Sequence, residues 1–109
     1  MSLIESGVYV VLITAPRGKG KEIARKLVEE RLAACVNITS VESVYWWQGK
    51  IEEDNEDLLV VKTSAEKIEE LVRRVKEIHQ YEVPEIIALP VAACLHDYCK
   101  WVREETSKK

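Results

Sequence analysis

His79, followed at short intervals by Glu82 and Glu85, is the stretch of this chain whose side chains most readily suggest chemistry. An imidazole suits copper, zinc or nickel, and nearby carboxylates can complete a site built from one or several subunits. His79 and Glu85, with the soft thiol of Cys35, are the candidate metal ligands. Each has a plainer reading: His79 as a histidine favoured by the dipole at a helix C-terminus, and Cys35 as a small apolar group packed at the start of a strand. Cys94, His96 and Cys99 form a second soft cluster, but a helix begins between them, so the spacing alone does not put them on one face. Tyr81, Glu85 and Lys62, with Trp47 as a wall, could instead line a pocket between subunits for a small anion. Lys62 equally suits a lysine extending its stem from a strand end. The acidic run Glu52, Glu53, Asp54, Glu56 and Asp57 lacks the loop of an EF-hand and reads as a solvated edge that discourages aggregation.

At 109 residues, 47% hydrophobic and 32% charged, the chain suits one domain, residues 1–109, with a core that needs no staples. A net charge of -3 supplies no field for nucleic acid, and the absence of Phe removes the aromatic signature of an RNA-recognition sheet. No apolar run approaches a bilayer span, and Met1 to Gly7 lacks the regions of a signal peptide, so a cytoplasmic location with no membrane partner is the expectation. Three cysteines without a CxxC pair are expected to be reduced thiols. No nucleophile elbow, P-loop or HExxH is present, so no enzymatic activity is expected.

The elements that must position these residues follow from periodicity. Val8 to Thr14 is an apolar, β-branched run expected as a central strand. Ile23, Ala24, Leu27, Val28 and Leu32 recur at helical spacing, predicting a helix that ends near Ala34. Cys35 to Trp47 and Lys50 to Thr63 read as two strands about a Gln48-Gly49 turn. Thr63 and Glu66 suggest a capping box before a second helix carrying Ile68, Leu71, Val72, Val75 and Ile78. A loop, His79 to Glu85, precedes a strand from Ile86 to Ala93, and Asp97 can cap a short final helix. The order predicts an α+β fold: a ferredoxin-like βαββαβ antiparallel sheet with two packed helices, a long β-hairpin and a C-terminal helix.

The hairpin asks for a partner. A strand of about 12 residues spans roughly 40 Å, longer than a domain of this size. Its tip carries Tyr45, Trp46 and Trp47, whose alternation puts aromatic surface on both faces. Either the tip folds back onto its own domain or identical subunits cover it in a closed ring.

Three ordered segments carry a resemblance: Glu30 to Asn37 (ERLAACVN), Ser43 to Glu52 (SVYWWQGKIE) and Tyr81 to Ile87 (YEVPEII). They closely resemble the signature segments of the CutA family of divalent-cation tolerance proteins, and the likeness runs from about Tyr9 to Trp101. The resemblance implies a ferredoxin-like homotrimer, a link to copper or another divalent metal ion, and no enzymatic role. It also implies a copper site formed by a cysteine late in the first strand and histidines before the last loop. Those positions here hold Ile13, Ile78 and His79, and Gln80 stands where the family usually has proline. The alternative is a trimeric signalling or scaffold protein resembling the PII proteins, with a small molecule or protein partner at intersubunit clefts.

Overall fold

The computed structural model describes residues 6–108, so most of the Met1 to Gly7 segment lies outside it. The elements are β1 (Val8–Pro16), α1 (Gly20–Glu29), β2 (Cys35–Trp47), β3 (Lys50–Ser64), α2 (Ile68–Ile78), β4 (Ile86–Pro90) and α3 (His96–Ser107). The four strands form one antiparallel sheet in the order β2-β3-β1-β4, as the predicted fold requires.

Strand alternation divides the sheet into two faces. On one, Val11, Ile13 and Ala15 of β1 and Leu59 and Val61 of β3 pack against Ile23, Ala24 and Leu27 of α1 and Leu71 and Val75 of α2. The opposite face carries Val10 and Leu12 of β1, which stand beside Leu89 and Ile87 of β4. α3 covers one end of that face through Val8, Cys99 and Val102, while Ile87 and Leu89 stay exposed.

The hairpin projects as expected. Pairing of β2 with β3 is continuous from Cys35↔Lys62 to Trp47↔Lys50, whereas β1 stops at Pro16↔Glu56. Beyond that pair the ribbon has no other strand beside it, and the longest dimension of the protein is 44 Å. Gln48 and Gly49, both left-handed at φ 50° and 79°, make the tight two-residue turn. Trp46, 71% exposed, sits directly opposite Ile51, 61% exposed. The tip therefore does not fold back onto its own domain.

Several boundaries differ from the sequence expectation. α1 ends at Glu29, not near Ala34, because Arg31 turns left-handed (φ 62°) and the amides of Leu32 and Ala33 both donate to the Leu27 carbonyl. Thr63 does not cap α2: it is buried at the end of β3 and donates its hydroxyl to the Leu32 carbonyl at 2.7 Å. A single 3-10 turn, Ala65–Lys67, leads into α2 instead. β4 ends at Pro90, three residues early, and proline has no amide with which to extend a ladder. Leu95 holds the N-cap position of α3 without a side-chain cap, Asp97 lies inside the first turn instead of capping it, and the helix is 12 residues long rather than short.

Candidate functional site

Where the hairpin leaves the sheet, the loop between α2 and β4 crosses the end of β1 and meets it. His79 fixes that loop. Its Nε2 lies 2.7 Å from the Thr14 carbonyl, which can only accept, so Nε2 carries the hydrogen. Nδ1 then accepts the Tyr81 amide at 3.0 Å. Tyr81 in turn donates its hydroxyl to Glu56 Oε2 at 2.8 Å, tying the loop to β3.

The result is a cleft of about 740 Å³ between the loop and the hairpin stem. Tyr45 and Trp47 of β2 and Tyr81 of the loop supply aromatic lining, and Glu42, Glu56, Glu82 and Glu85 supply carboxylates. Thr14, Ser43 and Gln80 add neutral polar groups. Among the described residues no lysine, arginine or histidine lines it. Tyr45 is hydrogen-bonded to Asp54, and that bond, above all other causes, pushes its phenol up to about 12. Burial, then the bond to Glu56, pushes the Tyr81 phenol well above the ordinary tyrosine range.

The structure brings together three of the six residues singled out in the sequence: Trp47, Tyr81 and Glu85 line the cleft. His79 stands behind it as an anchor, buried and with both ring nitrogens engaged, so neither is open to a metal in this conformation. Cys35 and Lys62 are paired at the opposite end of the sheet, because β2 and β3 run the full length of the hairpin between them and the tip. Lys62 Nζ donates to Asn37 Oδ1 and to the Val60 carbonyl, so the anion pocket of Lys62 with Tyr81 and Glu85 does not form within one chain. Nor does a centre of His79, Glu85 and Cys35: among the described residues no three His, Cys, Asp or Glu side chains converge to hold an ion.

The second soft cluster is also resolved differently. Cys94 and Cys99 form a disulfide, which overturns the expectation of three reduced thiols. The segment after β4 returns to the first turn of α3 and brings the two Cα atoms to 6.4 Å, within disulfide reach. Cys35 is the free cysteine; burial, and after it the nearby Cys35 thiol, raises the Tyr98 phenol of α3 above its ordinary value.

Sequence reasoning missed Glu56. It belongs to the acidic run read as solvated, yet it is only 5% exposed. A signal was present: Glu56 and Asp57 directly precede the continuous apolar run Leu58 to Val61, and the structure pairs both with β1.

Residues 9–105 match the family described as CutA1 divalent ion tolerance protein. The divalent-cation tolerance protein CutA of Thermus thermophilus is 52% identical over 99 residues, covering 89% of this chain and 96% of that protein. The chloroplastic protein CutA of Arabidopsis thaliana is 46% identical over 99 residues, again 89% of this chain, but the match spans only 54% of the plant protein's length. Among solved structures, the PII-like protein CutA from Nostoc superposes with a TM-score of 0.87 at 40% identity, covering 90% of this chain and 96% of that one. The sequence segments, the βαββαβ sheet and these matches agree, and the chain belongs to the CutA family of divalent-ion tolerance proteins.

Proposed function

We propose that this protein serves divalent-cation tolerance as a cytoplasmic, non-enzymatic homotrimer that binds copper or another divalent metal ion at its hairpin-loop clefts. The observation that carries this is the cleft itself, where carboxylates gather with no lysine, arginine or histidine among the described lining residues. Carboxylate oxygens suit divalent ions, and because His79 is engaged and Cys35 distant, the remaining donors come from neighbouring subunits. Assembly is supported by the exposed Val44, Trp46 and Ile51 of the hairpin and by Ile87 and Leu89 on the open sheet face. Identical apolar surfaces are most economically covered by closed symmetry. Among the described residues no helix is long and apolar enough to cross a membrane.

Calorimetric titration with Cu(I), Cu(II) and Zn(II) tests the metal role. Saturable binding that weakens in Glu85→Gln is the expected result; no saturable binding by any of the three ions rejects it.

The PII-like alternative, a small molecule held at an intersubunit cleft, is favoured by one observation. A volume of about 740 Å³ with three aromatic side chains lies in the range of small-molecule sites and far exceeds what an ion needs.

A further inference from the structure

We propose that Cys94 and Cys99 form a reversible redox site, a disulfide in oxidising surroundings and two thiols in reducing ones, which clasps and releases the joint between β4 and α3. The site is built within one chain and lies at the other end of the sheet from the cleft, beside Val8 at the start of β1.

A switch, unlike a staple, has to leave the fold standing in both states, and the surroundings of this pair meet that demand. Cys99 is 2% exposed and packs with Val8 and Val102, a place that a free thiol fills as a small apolar group. The rest of α3 is held by contacts that involve no sulfur. Arg31 bonds Glu105 at 2.9 Å, Thr106 bonds the Ser64 hydroxyl at 3.0 Å, and Arg103 bonds the Ser6 carbonyl. The disulfide closes a loop across a separation of only 5 residues, so it restricts the unfolded chain less than a long-range bridge does. Its reduction therefore leaves the core and most of α3 in place.

What depends on the bond is the joint. β4 ends at Pro90, and Val91 is tied back towards β1: its amide donates to the Val8 carbonyl at 3.0 Å and its carbonyl accepts the Ser6 hydroxyl at 2.7 Å. Past Val91, Leu95 stands 62% exposed, and the Tyr98 and Cys99 amides that open α3 both donate to its carbonyl. Cys94 adjoins Leu95, so the disulfide fixes the residue from which the helix starts. Tyr98 lies inside the closed loop and meets the Cys35 thiol at the first residue of β2. The redox state of the pair is passed in this way to an outer strand of the sheet.

Reduction draws two electrons from a thiol reductant. One reductant thiolate attacks the half-buried Cys94 sulfur and forms a mixed disulfide, while Cys99 leaves as a thiolate and takes up a proton. A second reductant thiolate then attacks the reductant's sulfur in that mixed disulfide. Cys94 leaves and takes up the second proton, so two protein thiols and one reductant disulfide result. The same steps run backwards, with the reductant disulfide as oxidant, re-form the bond.

The test equilibrates the full chain, in its assembled state, with graded ratios of reduced to oxidised glutathione. Thiols are counted by alkylation and mass spectrometry, and amide exchange is measured at both ends of the series. One thiol per chain, Cys35, is expected at the oxidising end and three at the reducing end, reversibly and with circular dichroism unchanged. Exchange across residues 91–99 should be about tenfold or more faster in the reduced protein, while the amides of β1 and β3 keep their protection. Cys94→Ser should show the fast pattern with or without glutathione. Cys35→Ser should keep the transition, now from no thiol to two; its loss there would move the exchange to Cys35 and overturn the assignment. Thiols that appear only as circular dichroism is lost would make the bond a staple, and equal exchange of residues 91–99 in both states would remove the clasp. Either result overturns the proposal.

Discussion

Tyr81 and Glu56 are joined by a 2.8 Å hydrogen bond across 25 residues of sequence, and this bond closes the cleft between the loop and the hairpin. Replacing Tyr81 by Phe removes the donor and leaves Glu56 Oε2 unpartnered. The expected cost is about 1–3 kcal/mol, the range for stranding a buried acceptor. Combining Tyr81→Phe with Glu56→Ala should cost less than the sum of the two single changes, because either one already removes the bond. Denaturant unfolding of the four proteins measures this, and strict additivity would contradict the coupling.

The tyrosines of the cleft should ionise late. Tyr45 is raised to about 12, chiefly by its hydrogen bond to Asp54, and Tyr81 is raised by burial and by Glu56. A phenol whose folded value exceeds its unfolded value of about 10 stabilises the fold fully below that pH and loses its contribution as pH rises through the folded value. The unfolding midpoint should therefore decline above about pH 10. Ultraviolet titration of the folded protein should show Asp54→Asn bringing the Tyr45 phenolate in at lower pH, and an unchanged titration would contradict the assignment.

Asp57 organises the start of α1 from another strand. Its Oδ2 accepts the amides of Gly18 and Gly20, each at 2.9 Å. A Cβ on Gly20 would stand 2.8 Å from the Asp57 Cβ, so this close approach requires glycine. Asp57→Ala should cost about 1–3 kcal/mol, and Asp57→Asn, which keeps an acceptor oxygen, should cost less. Thermal unfolding checks the order; equal midpoints for the two variants would contradict the two-amide cradle.

The disulfide predicts a thiol count. Denatured without reductant, the protein should titrate one thiol per chain, Cys35, and three after reduction. Cys99 is buried with Val8 and Val102, so Cys94→Ser should loosen the first turn of α3 and cost about 2 kcal/mol for so short a closed loop. Three thiols before reduction would contradict the pairing.

The order of elements is legible in the sequence because each has one dominant local signal. Gln48-Gly49 marks the hairpin turn, and Leu71 and Val75 fall on one helical face. What is not legible depends on contacts between distant segments. Thr63 looks like a helix cap until Leu32 supplies a carbonyl 31 residues away. His79 looks like a ligand until Thr14 and Tyr81 occupy its two nitrogens. Cys94 and Cys99 show no CxxC spacing, and only the path of the chain after β4 brings them together. Trp47, Tyr81 and Glu85 are legible as a group through the family segments, whereas Glu56 is hidden by the acidic residues around it.

Covering Trp46 should matter to assembly and little to the single chain. Trp46 is 71% exposed and opposes Ile51 at the ribbon tip. Trp46→Asp should weaken association while leaving the circular dichroism of the chain unchanged. A dissociated variant that also unfolds would contradict the independence of hairpin and core.

The central claim is that identical subunits complete the hairpin and the cleft beneath it. Sedimentation equilibrium at micromolar concentration tests this most directly. The account predicts a single species of three times the 12.5 kDa chain mass, and a 12.5 kDa monomer would contradict it.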